Sequence, residues 1–400
     1  MRISSTQMNQ QGISAILEQQ AQLSKTQLQL STGRRVVTPA DDPAASAQAL
    51  GLTQAVTGTQ QYQTNIDVAQ GRLNLEEGVL GGAGDLLQSV RVLALQANNA
   101  TLSNSDRTAI ANEVRQRLDE LLALANSRDA GGEYLFAGYK GQTQPFSQNS
   151  GGGFIYNGDQ GQRYLQIGPT RQIAVSDSGT DVFQAIRNGN GTFTTQDNVA
   201  NTGSGIINTG TVVNPAAYQA HNFTITFTSA TTFDVVNNTT STTILSAQPY
   251  TSGAAISFNG IQTAVTGAPA TGDSFTVTPS ANQDIFTTLQ NLANALAAPV
   301  TGGSTAKLNN AVNRSLTDID QALGNILDVR AKVGGRLNAV ESQKNINDGF
   351  ALLTKTSLSK LQDLDYSEAA SRLNLQLTAL QAAQQAFVKV QNLSLFNFLR

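Results

Sequence analysis

Leu30-Ser31-Thr32-Gly33-Arg34-Arg35, followed two residues later by Thr38-Pro39-Ala40-Asp41-Asp42-Pro43, decides how this chain is read. Gly33 stands where a left-handed helix C-cap belongs, and Arg34 and Arg35 oppose the negative end of the helix dipole, so a first helix stops here. Asp41 or Asp42 then caps a new helix with Pro43 at its first position, where the missing backbone N–H costs nothing. Upstream, apolar residues recur every seven positions at Ile16, Leu23 and Leu30, with Ile13 offset by three. A second series near the other terminus runs Leu373, Leu377, Leu380, Phe387 and Val390. No single helix buries its own stripe. The two ends therefore meet each other, meet neighbouring subunits, or order only when a partner arrives.

The last helix, expected from about Ser367, ends in Leu393-Ser394-Leu395-Phe396-Asn397-Phe398-Leu399, an apolar tip that would drive association if left exposed. The expected assembly contacts are thus Ile13, Ile16, Leu23, Leu30, Leu373, Leu377, Leu380, Phe387, Val390, Leu393 and Phe396. Glutamine at Gln20, Gln27 and Gln384 fits the same stripes and leaves their register loosely specified.

Between these ends the periodicity stays helical at first. From Pro43 a long helix carries a seam through Tyr62, Ile66, Ala69, Leu73, Glu76, Leu80, Ala83, Leu87, Val90 and Ala94, in steps of four and three, broken only by Glu76. A third helix opens near Ser105 or Asp106 and presents Ile110, Val114, Leu118, Leu121, Leu122 and Ala125. Past Gly151-Gly152-Gly153 the period drops to two, and Phe154–Tyr156 and Tyr164–Ile167 read as short strands. No Lys or Arg occurs between Arg187 and Lys307, and Thr, Asn, Ser and Gly dominate there, which marks a domain boundary near Arg187. Phe223–Thr228, Phe233–Val236, Ala255–Phe258 and Phe275–Thr278 are strand candidates of a small antiparallel domain, with disorder as the rival reading for Asn198–Asn214. Helix returns at Asp284–Leu296. A very long segment follows from about Ser304, its seam running Leu308, Val312, Ser315, Ile319, Ala322, Ile326, Val329, Val333 and, past Arg336, Val340.

Composition bounds the function. With 400 residues, 40% of them hydrophobic and 13% charged, the chain is too apolar to be disordered throughout. It has no Cys, which excludes disulfides, thiolate metal sites and cysteine nucleophiles. A net charge of -3 without a dense Lys/Arg cluster argues against nucleic acid or an anionic membrane as partner. Met1–Gln7 lacks the unbroken apolar core of a secretory signal, and nothing approaches the roughly 18 apolar residues of a membrane helix, so the expectation is a chain soluble as made.

Chemistry is sparse. His221 is the only histidine, it edges a strand candidate, and no paired acid accompanies it. Gly78, Gly81, Gly82 and Gly84 lack the spacing of a phosphate loop and fall inside a heptad seam, where close helix packing explains them better. Asp41 and Asp42 are accounted for by capping, without an ion. The expectation is a chain with no catalytic, cofactor or metal site.

The Leu30–Arg35 helix end, the Pro39-Ala40-Asp41-Asp42-Pro43-Ala44 turn and the Leu380-Gln381-Ala382-Ala383-Gln384-Gln385-Ala386-Phe387 run resemble bacterial flagellin and its relatives. Within that superfamily, Gly132-Glu133-Tyr134-Leu135-Phe136-Ala137-Gly138 with Gln144-Pro145-Phe146, and the ending Leu393–Phe396, are similar to the hook-filament junction family. The resemblance implies a mainly α fold, a flagellin-like long-helix coiled-coil bundle formed by the N- and C-terminal halves with a small antiparallel β domain inserted. Three regions follow. Residues 1–42 and 367–400 form a terminal coiled coil, 43–187 and 283–366 a helical rod with short strands, and 188–282 a variable outer β domain. It further implies a structural flagellar subunit, exported by the type III route with a cytoplasmic chaperone. Its partners are then a ring of like subunits, a hook-side adaptor and flagellin, with flagellin itself as the alternative identity.

Overall fold

The computed structural model describes residues 5–99, 101–300 and 305–392. Among them are six α-helices: α1 (Ser5–Thr32), α2 (Pro43–Ala97), α3 (Asn104–Ala125), α4 (Ile285–Ala297), α5 (Ala306–Gln362) and α6 (Tyr366–Asn392). No described helix is long and apolar enough to cross a membrane. The chain divides into two compact units, Met1–Thr64 with Ser342–Arg400, and Asn65–Glu341. The division falls inside α2 and α5, both of which run continuously across it.

In the first unit α1 and α6 pair antiparallel. A methyl group on Gly12 would lie 2.7 Å from the Phe387 ring, and one on Gly33 would lie 2.7 Å from the Tyr366 hydroxyl. Both pairs obey one register. Carried along both helices, that register brings Ile16 level with Ala383, Gln19 with Leu380, Leu23 with Gln376, Thr26 with Leu373 and Leu30 with Ala369.

The second unit holds the main core. The α2 seam from Ile66 to Ala94 is buried throughout, Glu76 included, and the α5 residues Leu308, Val312, Ile319, Ala322, Ile326, Val329, Val333 and Val340 join the same cluster. Helices α3 and α4 pack on each other. Ser103 opens α3 through a capping box with Asp106, two residues before the expected start, and Asp284 caps α4 by accepting from Thr287 N–H at 2.6 Å. Among the seam glycines, Gly82 faces Leu124 and Gly84 faces Ile326, whereas Gly78 faces open space, so close packing accounts for only part of that cluster.

Short antiparallel pairs decorate this core: β1 (Phe146–Gln148) with β2 (Phe154–Tyr156), and β3 (Tyr164–Gln166) with β4 (Gln172–Ala174). A π-helical turn, Thr180–Gln184, places Phe183 beside Phe136, rings 5.1 Å apart edge to face, while Phe146 meets Phe286 at 5.0 Å. Beyond β5 (Ile186–Arg187) lies the inserted domain. Its strands are β6 (Phe193–Asp197), β7 (Ile206–Ile207), β8 (Thr211–Val212), β9 (Phe223–Ser229), β10 (Thr232–Asn237), β11 (Thr242–Pro249), β12 (Ala255–Phe258), β13 (Ile261–Thr266) and β14 (Ser274–Pro279), before the chain returns through β15 (Asn282–Gln283). One sheet runs β11-β10-β9-β14-β6 and the other β12-β13-β7, with β8 also on β13. Alternation supplies the core: Phe223, Ile225 and Phe227 of β9 point inward with Val235, Ile256, Val265 and Phe275.

The expected strands at Phe223, Phe233, Ala255 and Phe275 are all present, and β6, β7, β8, β11 and β13 are strands beyond those four. The β12–β13 hairpin turns on Asn259-Gly260, both at positive φ (44° and 74°), a two-residue turn that glycine permits. Asn198–Asn214, for which disorder was the rival reading, is pinned instead. Asp273 accepts from the Thr202 and Gly203 amides at 2.8 and 3.0 Å, and the Asn201 side chain brackets Ser274.

Candidate assembly site

Six of the expected contact residues, Ile16, Leu23, Leu30, Leu373, Leu380 and Phe387, lie along the α1–α6 seam and are half-buried. The most deeply buried polar side chains of the pair are Thr26, Gln29 and Gln376, and Gln376 Oε1 finds no hydrogen-bond partner. Ile13 and Leu377 lie off the seam and are 48% and 38% exposed, and Leu17 of α1 and Val388 of α6 are exposed as well. Val390, 44% exposed, sits at the far end of the pair. Leu393 and Phe396 lie outside the described residues. The terminal pair therefore has one flank satisfied within the chain and another open to solvent.

At the base of the pair the two links bind each other. Arg35 N–H donates to the Gln362 carbonyl at 2.7 Å and Leu364 N–H to the Gly33 carbonyl at 2.9 Å, so that the backbones of Arg34 and Asp363 pair as a single antiparallel β-bridge. Gly33, at φ +65°, turns the backbone out of α1. That turn carries Arg35 away from its own helix end, and its guanidinium donates instead to the Leu361 carbonyl in the last turn of α5, 2.9 Å away. The dipole reading of Arg35 thus applies to a different helix from the one expected.

The two aspartates divide their work. Asp42 caps α2 by accepting from Ala45 N–H at 2.9 Å, while Asp41 accepts from Val37 and Thr38 N–H and pairs with Lys25 at 2.8 Å. The Lys25 contact, aided by those amides, holds the Asp41 carboxyl well below the usual carboxylate range.

In the second unit the two polar breaks in the apolar seams converge. Asp177 is gripped by Arg336 through two hydrogen bonds of 2.7 and 2.8 Å, and its amide donates to Glu76 Oε1 at 3.2 Å. Arg336 and Asp177 neutralise one another, which leaves an ionised Glu76 as the unmatched buried charge. Burial, with the neighbouring Asp177 charge adding and Arg336 opposing, pushes the Glu76 carboxyl up to about 8. Nothing in sequence tied Asp177 to either partner, because it comes from a loop distant from both.

The Gly132–Phe146 block closes the same unit. Tyr134, Leu135, Phe136 and Ala137 are buried, Arg128 stacks on the Tyr134 ring at 4.2 Å, and Glu133 ion-pairs with both Arg72 and Arg163. Gly138, at φ +68°, lets the backbone pass so close to Asp159 that any side chain would collide with it. His221 receives a 2.9 Å contact from the Asn237 amide. Among the described residues no group of three or more His, Asp or Glu could hold a metal ion.

Long helices drawn from both chain ends, with an inserted β domain, define a flagellin-like structural subunit. Residues 3–141 match the bacterial flagellin N-terminal helical region and 316–399 its C-terminal helical region, while 196–279 match the D2-like domain of flagellar hook-associated protein 1. The flagellar junction protein FlgL of Legionella pneumophila has a crystal structure that is 36% identical, with a TM-score of 0.73, covering 79% of this chain and 99% of that one. Flagellar hook-associated protein 3 of Salmonella typhimurium is 27% identical over all of both chains. Flagellin 1 of Proteus mirabilis is 35% identical, but over 28% of this chain and 31% of its own. This chain belongs to the hook-associated protein 3 (FlgL) family.

Proposed function

We propose that this chain is the structural subunit that joins the flagellar hook, through a hook-side adaptor, to the flagellin filament. The observation that carries the reading is the end-to-end likeness to hook-associated protein 3, set against a likeness to Flagellin 1 of Proteus mirabilis that covers 28% of the chain. No reaction is assigned to it. The subunit forms a ring with like copies, contacts the adaptor on one side and flagellin on the other, and reaches its place by type III export with a chaperone on its C-terminal region. Residues 1–42 with 367–400 form the inner tube, 43–187 with 283–366 the rod, and 188–282 the outward domain.

Within the terminal pair the contact residues take two roles. Ile16, Leu23, Leu30, Leu373, Leu380 and Phe387 hold α1 to α6, whereas Ile13, Leu377 and Val390 face neighbouring subunits, and the sequence alone adds Leu393 and Phe396 to the assembly contacts. An exposed apolar flank beside a half-filled seam supports this division, since such surface favours a partner over water.

Immunogold microscopy of intact flagella with antibody against residues 188–282 tests the reading. Label in a narrow band where hook meets filament is expected. Label along the whole filament would make the chain a flagellin instead.

A further inference from the structure

The β domain and the helical core of the second unit do not share an apolar core. The cluster that includes Phe223 and Val277 has no member in common with the cluster of α2, α3, α4 and α5, although the chain passes between them twice. Both crossings occur in one neck, where Ile186 and Arg187 of β5 pair with Gln283 and Asn282 of β15.

What holds the β domain to α5 is a polar row one step beside that helix's apolar seam. Lys307 Nζ donates to the Val199 carbonyl at 2.8 Å. Asn310, buried, accepts from Ile207 N–H at 2.9 Å and donates to the Gly205 carbonyl at 3.1 Å, so its carboxamide pairs with the β7 segment as a neighbouring strand would. Arg314 reaches Asp197 at 3.5 Å, and Asp318 accepts from Gly189 N–H at 2.7 Å and from the Gln283 side chain at 3.3 Å. A cavity of about 10 Å³ lies in this joint, bordered by Thr195, Asn310 and Arg314, room for roughly one water. Hydrogen bonds of this kind exchange for water at little net cost, whereas separating apolar surfaces does not.

We infer that Asn310, Arg314 and Asp318 form a polar latch that lets the β domain open from α5 about the β5–β15 neck as an intact body, with both apolar cores left folded. The latch makes the outer domain a separately yielding module. Interfaces within a chain that are small and polar are those at which domains move.

Hydrogen exchange on the full chain tests this through the two amides that donate to α5 side chains, those of Ile207 and Gly189. In the wild type they are expected to exchange at least about tenfold faster than sheet-core amides such as Ile225, and at one shared rate. Asn310→Ala should speed both by about tenfold more while Ile225 and the α2 seam amides keep their wild-type rates. Exchange of Ile207 and Gly189 only at the rate of the sheet core would overturn the latch, and that comparison needs no variant to fold. Acceleration spread over both cores in Asn310→Ala would overturn it as well.

Discussion

Two helix pairings in this molecule follow the same three-four rhythm and come out differently. Along α2 the seam residues Ile66, Leu73, Leu80 and Leu87 are wholly buried, closed over by α5, α3 and α4. Along α1 and α6 the seam leucines stay half-exposed, and the deepest positions include Thr26, Gln29 and Gln376. Periodicity tells where a helix will seek a partner. The number of partners within the chain decides how much of that demand is met, and two helices alone leave much of their apolar surface wet.

Substitution at matched leucines is the strongest way to break the contrast. Leu80→Ala should cost about 2–5 kcal/mol in chemical denaturation, because a cavity opens in a closed core. Leu23→Ala should cost about 1 kcal/mol or less, since the half-exposed site loses only part of a transfer term. Equal losses would show that the terminal pair is as well packed as the long-helix core.

Acidity provides a second separation, confined to Asn65–Glu341. The Glu76 carboxyl is raised in the folded state, so its contribution is complete below its unfolded value of about 4.5 and is lost as pH rises through about 8. The denaturation midpoint of that unit should therefore fall between about pH 5 and about pH 9, and Glu76→Gln should flatten the fall. A wild-type midpoint that held steady or rose across the window would contradict the burial argument.

The smallest effect sharpens the other side. Gln376→Leu places an apolar side chain opposite Leu23 and removes an unsatisfied carbonyl, so the α1–α6 pair should gain about 1 kcal/mol, read as slower amide exchange in α6. No change in α6 protection would mean that Leu23 and Gln376 do not share a dry layer.

Much of this architecture was legible in the chain. Gly33, Asp42 and Pro43 mark their helix ends because capping chemistry is local, and Phe223–Thr228 announces β9 because alternation is local too. Glu76 and Arg336 stood out as interruptions of apolar seams, yet their meeting through Asp177 depends on a loop whose place only the fold determines. The polar row at Asn310, Arg314 and Asp318 left a faint signal, hydrophilic side chains at helical spacing beside a seam, which solvent exposure would explain equally well. The difference in exposure between residues of α1 and α6 escaped for a related reason. Ile13 and Ile16 are chemically alike, and it is the register fixed by Gly12 beneath Phe387 that turns one toward the seam and the other away.

That register also joins the two extremes of the polypeptide. Bringing α1 to α6 closes a loop that contains nearly the whole chain, and such closure is entropically the most demanding contact the sequence can make. Local hairpins and neighbouring helices have every kinetic advantage over it. During synthesis α1 is made long before α6, so the pair can close only once α6 has emerged.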